Sequence, residues 1–126
     1  MPPRPAVDLF REGIALYNRG DFFAAHEVLE EIWRPERGEP RFFLQSLIHF
    51  AVAFHHYKNG NLAGAERQLV KALRKLAGYL PRYRGIRTRA LYEQGQSCLA
   101  ELRRGGPVLW IPRIEDCVTL DSNAPA

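Results

Sequence analysis

Apolar residues recur every three or four positions in five stretches of this 126-residue chain, and a glycine or proline follows each stretch. This spacing predicts amphipathic helices, whereas the strict alternation typical of half-buried strands is absent until the C-terminal tail. Proline cannot continue the hydrogen-bond ladder of a helix, and glycine suits the left-handed position after one, so both mark helix ends. We therefore expect an all-α fold, a small helical bundle.

Five helices are predicted, and their approximate bounds are 7–18, 22–34, 40–59, 62–79 and 88–104. Asp21, Asn61 and Thr88 are predicted to cap the second, fourth and fifth helices, because short polar side chains accept hydrogen bonds from free N–H groups at helix starts. The chain is expected to form one domain over residues 1–126. Its helical core covers about 6–104, and residues 105–126 form a tail.

One internal repeat is visible at an offset of forty residues. Residues 17–22 align with residues 57–62, and Ala25 aligns with Ala65. Each copy predicts a helix, a tight turn of glycine with Asp or Asn, and a second helix with a small residue at the crossing. This hairpin resembles those of tetratricopeptide-type repeats. We expect two stacked antiparallel helix hairpins, a fifth helix and an extended C-terminal tail.

The aromatic and leucine positions predict the core of this bundle. Phe23 and Phe42 are assigned with the other phenylalanines to the core or to an interface, and Leu62 is predicted to face inward. A chain of this length holds one globular domain, which excludes a two-domain enzyme. No dinucleotide-binding, phosphate-loop or nucleophile-elbow motif is present, so sequence motifs assign no activity.

Several features predict a cytoplasmic protein that does not enter a membrane. The first eight residues lack the apolar region of a signal peptide. The longest charge-free run, residues 42–57, is interrupted by histidines and is shorter than the roughly 20 apolar residues of a bilayer span. Cys98 and Cys117 show no pairing or metal-binding pattern, so both are expected to be free thiols.

Charge is unevenly distributed along the chain. The total is +4, but residues 71–104 sum to +7, while residues 21–40 hold six acidic side chains. The fourth helix is expected to direct Lys75 and its other basic residues outward. This polarity favours a homodimer as readily as an external ligand. Specific nucleic-acid binding is not expected, because no recognised binding module accompanies the arginine-rich segment 82–89, and any affinity should be weak and salt-sensitive.

A narrow polar band runs along the otherwise apolar third helix. Gln45, His49 and His56 fall within about 40° of one another on a helical wheel, with Arg41 and Asn59 at the ends. A solvent-facing stripe would contain lysine and glutamate, whereas these central three residues are neither. The band therefore predicts a half-buried groove whose polar groups need partners.

The second helix offers those partners in His26 and Glu30, which lie one turn apart on one edge. A carboxylate beside an imidazole fixes the tautomer, an arrangement found in catalysis, in metal sites and in structural networks. We expect His26 and Glu30 to hydrogen-bond to Gln45 or His49 across the helix pair. Glu27 is a further candidate in the same segment.

Three interpretations of these polar residues stay open. In the leading hypothesis, the network holds the two helices in register within a non-enzymatic binding or interaction domain. The His/Glu/Gln-lined groove of this domain lies between the second and third helices, and it needs no cofactor. Alternatively, an enzyme for a small molecule uses the same groove. In the third interpretation a metal ion is bound by His26, Glu30, His49 and His56, as in the carboxylate and histidine sites of helical bundles.

Three motifs resemble the prokaryotic domain-of-unknown-function family 309. They are His-Glu-x-x-Glu-x-x-Trp-Arg at 26–34, Phe-Leu-Gln-x-Leu-Ile at 43–48 and Gly-Asn-x-x-Gly-Ala at 60–65. The resemblance covers about residues 7–104 and implies a compact helical domain with no assigned activity. The family pattern has glutamine where this chain has His49. The resemblance therefore favours the other candidates as site residues (His26, Glu27, Glu30, Gln45, His56), with His26, Glu30 and His56 as candidate metal ligands.

The tail contains four consecutive apolar residues, 108–111, between two prolines. Exposed to solvent, they would promote aggregation, so we expect them to dock on the helices or on a second copy of the chain. Trp110 is predicted to be the anchor. The prolines disfavour helix, so the docked segment should be extended, and residues from Ser122 onward should be mobile.

Overall fold

The structure is a computed structural model that describes residues 4–116. Its α-helices are α1 (Ala6–Asn18), α2 (Phe22–Trp33), α3 (Pro40–Lys58), α4 (Leu62–Leu76) and α5 (Thr88–Arg103). A short 3-10 helix, Ala77–Tyr79, continues α4. Only isolated β-bridges, and no strand, occur within the described residues. The predicted all-α bundle is confirmed, with helix bounds within three residues of those predicted.

Each helix packs against the next in the chain, so α1 and α2 form one hairpin and α3 and α4 another. The two hairpins meet through α2 and α3. The central helix is α3, which buries ten residues because it has neighbours on both sides. The close likeness to tetratricopeptide hairpins stays a prediction. No helix within residues 4–116 is both long and apolar enough to cross a bilayer.

The two hairpin turns follow the repeated Gly-Asx pattern. Gly20 and Gly60 have φ of 92° and 78°, the left-handed region that glycine adopts without a steric penalty. Asn61 caps α4, because its Oδ1 accepts a hydrogen bond from the backbone N–H of Gly64 at 2.9 Å. Asp21 stands at the N-cap of α2, but its carboxylate accepts from Arg19 Nε instead.

The predicted cap of α5 is wrong. Thr88 is buried and is the first residue of α5, and Arg87 occupies the N-cap position. The hydroxyl of Thr88 donates a 2.7 Å hydrogen bond to the carbonyl of Tyr79, in the turn that follows α4. Thr88 therefore links α5 to the turn that follows α4, and its side chain does not cap the free N–H groups at the start of α5.

The core consists of side chains from all five helices, with Tyr17, Phe22 and Phe54 in mutual ring contact. Phe23 and Phe42 lie outside it and are 53% and 57% exposed. Each follows or precedes a buried phenylalanine, and neighbouring positions on a helix point about 100° apart, so only one of each pair can face the core. Leu62 is also exposed, which contradicts its predicted inward position.

The tail docks on the helices through residues other than the predicted anchor. Ile114 is 1% exposed, and its backbone N–H and carbonyl both hydrogen-bond to the side-chain amide of Asn18 at 2.9 Å. The buried hydroxyl of Tyr17 donates to the carbonyl of Pro112 at 2.7 Å. Side chains of α1 thus satisfy backbone groups that would otherwise lack partners away from water.

Trp110, in contrast, is 82% exposed, so its predicted role as the anchor is wrong. Its carbonyl accepts a hydrogen bond from the thiol of Cys98 in α5. With the backbone turned toward α5, the indole projects away from the helices. Cys98 is a buried free thiol, as expected. The expectations for Cys117 and for the residues from Ser122 onward lie outside the described residues.

Candidate functional site

A cavity of about 220 Å³ lies where α2, α3 and α4 meet, and we call it the polar cavity. Four of the predicted site residues line it: His26 and Glu30 from α2, and Gln45 and His49 from α3. The rest of its wall is formed by Trp33, Ile48, Val52 and Gln68. The polar edges of α2 and α3 therefore face one shared space, and their functional role stays a prediction.

His26 and Glu30 bond to each other rather than to α3. His26 Nε2 lies 2.9 Å from Glu30 Oε1, and the other carboxylate oxygen of Glu30 accepts from Arg34 at 2.9 Å. Within residues 4–116, neither side chain hydrogen-bonds to Gln45 or His49, so the predicted bond across the helix pair is wrong. Residues four apart on one helix meet without any tertiary adjustment, which favours this local pairing.

His49 is held by α4 through both of its ring nitrogens. Nδ1 lies 2.8 Å from Gln68 Oε1, and Nε2 lies 2.9 Å from Lys75 Nζ. An amide oxygen can only accept a hydrogen bond and an ammonium group can only donate one, so the imidazole proton must be on Nδ1. His49 is therefore a neutral imidazole with both nitrogens engaged.

The electrostatic surroundings of His49 support that protonation state. Burial lowers its pKa from the usual value of 6.5, and the positive charges of Lys75 and Lys71 lower it further, against an opposing effect of the Gln68 hydrogen bond. Gln68 is not among the predicted site residues, and Lys75, predicted to point outward, instead contacts His49. Their spacing of seven residues, two helical turns, was a signal that both lie on one face of α4.

Two polar groups at the polar cavity have no hydrogen-bond partner in the part of the chain that the structure describes. One is the side-chain amide of Gln45. The other is the indole N–H of Trp33, which is buried. Arg41, predicted at the end of the polar band, stacks over the Trp33 ring at 4.4 Å and donates to the Trp33 carbonyl. The ring of Trp33 is thus fixed in place, with its N–H buried and unpaired.

The remaining predicted site residues lie elsewhere. His56 is at the α3–α4 turn, where its Nδ1 is 3.4 Å from the side chain of Asn61, and Glu27 is exposed on α2. His56 follows His49 by seven residues, about 10 Å along the helix, which separates it from the cavity. Between residues 4 and 116, no three His, Cys, Asp or Glu side chains are grouped so that they could hold a metal ion.

The side chains that line the polar cavity offer hydrogen bonds, and none of these lining side chains carries an unpaired charge. Glu30 is paired with His26 and Arg34, and the Lys75 ammonium is bonded to His49. Cys98 is not a candidate nucleophile, because burial raises the pKa of its thiol to about 12, with a smaller contribution from Glu101. The cavity suits a ligand smaller than those of the roughly 300–1,000 Å³ sites that hold drug-sized molecules.

Comparison with known proteins confirms the family resemblance. Residues 10–68 match the family described as "Domain of unknown function (DUF309)". This segment includes every residue that lines the polar cavity. The family match therefore covers the segment in which the cavity is built, and the family description assigns no activity.

Two curated relatives are similar to this chain, and both are described only as uncharacterized proteins. One, from Aquifex aeolicus, is 35% identical over 81 residues, which is 64% of this chain and 24% of the relative. The other, YpuF from Bacillus subtilis, is 33% identical over 78 residues, 60% of this chain and 42% of the relative. The matched segment therefore spans less than half of each relative.

Proposed function

We propose that this chain is a non-enzymatic binding domain whose polar cavity holds a small, uncharged, amide-like group. The observation that supports this most directly is the buried, unpaired N–H of Trp33, at a cavity that the half-buried Gln45 also lines. Buried polar groups are normally satisfied, and one left unpaired costs about 1–3 kcal/mol. A ligand that accepts a hydrogen bond from Trp33 recovers that free energy.

The charges around the cavity explain the preference for an uncharged group. A carboxylate ligand would lie near Glu30, and a cationic ligand would lie near Lys75, which is bonded to His49 in the same wall. Either would also disturb an existing ion pair or hydrogen bond. An amide both donates and accepts, which matches the Gln45 amide and the Trp33 N–H, while Ile48 and Val52 supply apolar contact.

The two tryptophans allow this proposal to be tested with an internal control. Trp33 lines the polar cavity and Trp110 is almost fully exposed, so the chain gives one indole N–H signal from the site and one from bulk solvent. We expect titration with acetamide in the millimolar range to shift the Trp33 signal in an NMR spectrum and to leave Trp110 unchanged. Acetate and ethylammonium, of similar size, should shift Trp33 less.

A matched pair of variants completes this experiment. Gln45→Leu removes the amide from the cavity and should abolish the acetamide shift at Trp33. Gln96→Leu changes an exposed glutamine on α5 and should leave that shift intact. Equal shifts at both indoles, or an unchanged response in Gln45→Leu, would show that the cavity does not bind amides.

An enzyme using the same cavity is the second candidate, and the geometry of His26 favours it specifically. Its Nε2 is oriented by Glu30, while Nδ1 has no partner among residues 4–116. This is how a carboxylate positions a catalytic base or a metal ligand. Elemental analysis of protein purified without chelator, and screening for ester and amide hydrolysis, separate the two candidates: bound metal or turnover lost in His26→Gln would favour the enzyme.

The location and assembly predicted from the sequence form part of the same proposal. The domain acts in the cytoplasm, and its partner is a small ligand, a protein or a second copy of the chain. Cell fractionation with an antibody against the protein tests the location directly.

A further inference from the structure

A second and larger cavity, of about 520 Å³, shares no lining residue with the polar cavity. It is bounded by α1, by the turn around residues 84–86 and by tail residues 113–116. Its apolar wall consists of Val7, Phe10, Ile14, Ile86 and Ile114. We call it the arginine cleft, because three guanidinium groups from three separate segments also line it.

These three arginines are Arg11 of α1, Arg84 of the turn and Arg113 of the tail. Among residues 4–115, no hydrogen bond or ion pair joins any of the three guanidinium groups to another side chain. Two carboxylates share the wall, those of Glu115 and Asp116, and Glu115 lies 3.7 Å from a fourth arginine, Arg87. Three lining arginines against two lining carboxylates leave the cleft with a net positive charge.

The backbone conformation of Arg84 is a second observation, independent of the cavity, that favours a functional role for this residue. Tyr83 and Ile86 exchange two backbone hydrogen bonds, of 3.0 and 2.8 Å, around a tight turn. Arg84 and Gly85 form its centre with φ of 49° and 78°. The first of these positions normally holds asparagine, aspartate or glycine, because other residues are sterically disfavoured there. Such strain is concentrated at functional sites.

The apolar floor of the cleft continues beyond it. A neighbouring cavity of about 460 Å³ shares Val7, Phe10 and Arg84 with the arginine cleft and extends to Ile32 and Leu44. A ligand held by the arginines can therefore place an apolar body along α1. Arginine pairs with carboxylate and phosphate through two parallel hydrogen bonds, whereas a neutral head group offers it no such partner.

We propose that the arginine cleft binds a small organic anion, a carboxylate or a phosphate monoester on an apolar body. The head group pairs with the guanidinium groups of Arg11, Arg84 and Arg113, and the apolar body packs against Phe10, Ile14 and their neighbours. This site is independent of the polar cavity, so its test and that of the proposed function can fail separately.

The test uses four probes that share an eight-carbon chain: octanoate, octyl phosphate, octan-1-ol and octylammonium. Isoleucine methyl groups report the site by NMR, since Ile14, Ile86 and Ile114 line the cleft whereas Ile48 lines the polar cavity. We expect octanoate or octyl phosphate to shift the three cleft signals and to leave Ile48 unchanged. Whichever anion binds more tightly identifies the head group.

Two arginine variants separate specific recognition from general attraction. Arg84→Asn suits the left-handed backbone, so the variant should fold, and it should bind the anion about tenfold more weakly. Arg82→Gln removes an exposed charge outside the cleft and should change the affinity less than twofold. The proposal is overturned if neither anion shifts the cleft signals at 10 mM, if octan-1-ol binds as well as both anions, or if Arg84→Asn and Arg82→Gln weaken binding equally.

Discussion

Lys75 Nζ on α4 lies 2.9 Å from Nε2 of His49 on α3, so an ammonium group donates a hydrogen bond to a neutral imidazole at the wall of the polar cavity. Protonation of His49 would place a second positive charge against the first and remove the acceptor. The same event would break one hydrogen bond between α3 and α4, the two helices that have the most extensive interface in the fold. The protonation state of one histidine is thereby linked to the packing of α3 on α4.

This linkage predicts how stability depends on pH. The pKa of His49 is lower in the folded protein than the usual 6.5, so the unfolded chain binds the proton more tightly. Stability from His49 is then complete above pH 6.5 and is lost as the pH falls below that value. Urea unfolding between pH 5 and 8 should show this decrease. His49→Gln keeps one donor and one acceptor and should remove the contribution of His49, and an equally steep decrease in that variant would contradict the assignment.

Glu30 is expected to stabilise the α2 side of the polar cavity through its two partners, His26 and Arg34. Its carboxylate bonds to His26 and Arg34 and is about one-quarter exposed. Glu30→Ala should lower the free energy of unfolding by about 1 kcal/mol, less than a fully buried pair would lose. Glu31→Ala, an exposed neighbour on the same helix, is the control and should change stability by less than about 0.5 kcal/mol. Chemical denaturation of both variants measures the difference.

We expect Ile114, rather than Trp110, to stabilise the attachment of the tail to the helices. Ile114→Ala opens a cavity beneath a nearly fully buried side chain and should cost about 2–4 kcal/mol. Trp110→Ala removes a mostly exposed ring and should cost no more than about 0.5 kcal/mol. Equal losses in the two variants would mean that the indole packs on the helices after all.

Trp110 is instead expected to promote self-association. It and Leu109 are the two most exposed large apolar side chains among those the structure describes, and they are consecutive in the tail. Burial of such a pair between two copies would remove apolar surface from water. Light scattering should therefore show a dimer for the unmodified chain and a monomer for the double variant Leu109→Ser, Trp110→Ser. A monomer at all concentrations of the unmodified chain would exclude this contact.

Gly95 should tolerate no side chain where α5 meets α4. A methyl group there would lie 2.8 Å from Cδ2 of Leu73 and 3.2 Å from the ring of Phe50, closer than van der Waals contact allows. Gly95→Ala should destabilise the protein by about 1–3 kcal/mol despite the better helix propensity of alanine. Gly78→Ala meets nothing within 4 Å and is the matched control. Thermal unfolding should separate the two variants.

Periodicity was sufficient to predict the helices, because each amphipathic stretch ends at a glycine or proline whose backbone preference is local. The Asn61 cap was predictable for the same reason. The other side-chain hydrogen bonds depend on tertiary contacts, which local sequence does not specify. Thr88 has the side chain of a cap residue, but it lies within reach of the Tyr79 carbonyl, and that bond is made instead.

The sequence was sufficient to predict which helix edges are polar at the site, but not which side chains hydrogen-bond to each other. The positions of His26 and Gln45 on their helices follow from the 100° turn per residue. The partners of His49 do not, because a wheel of α4 assigns Lys75 to solvent, whereas its long chain reaches back to the imidazole. Trp110 was misassigned because hydrophobicity alone does not indicate which way a backbone with no regular structure turns.

The bond between Asn18 and Ile114 joins segments that are 96 positions apart in the chain. It brings the tail onto α1, and Val7 near the start of that helix lines the same cavity as Asp116. Tail residues and α1 therefore form opposite parts of one cleft wall. Loss of the Asn18–Ile114 bond would loosen that wall, so occupancy of the cleft and attachment of the tail are expected to favour each other.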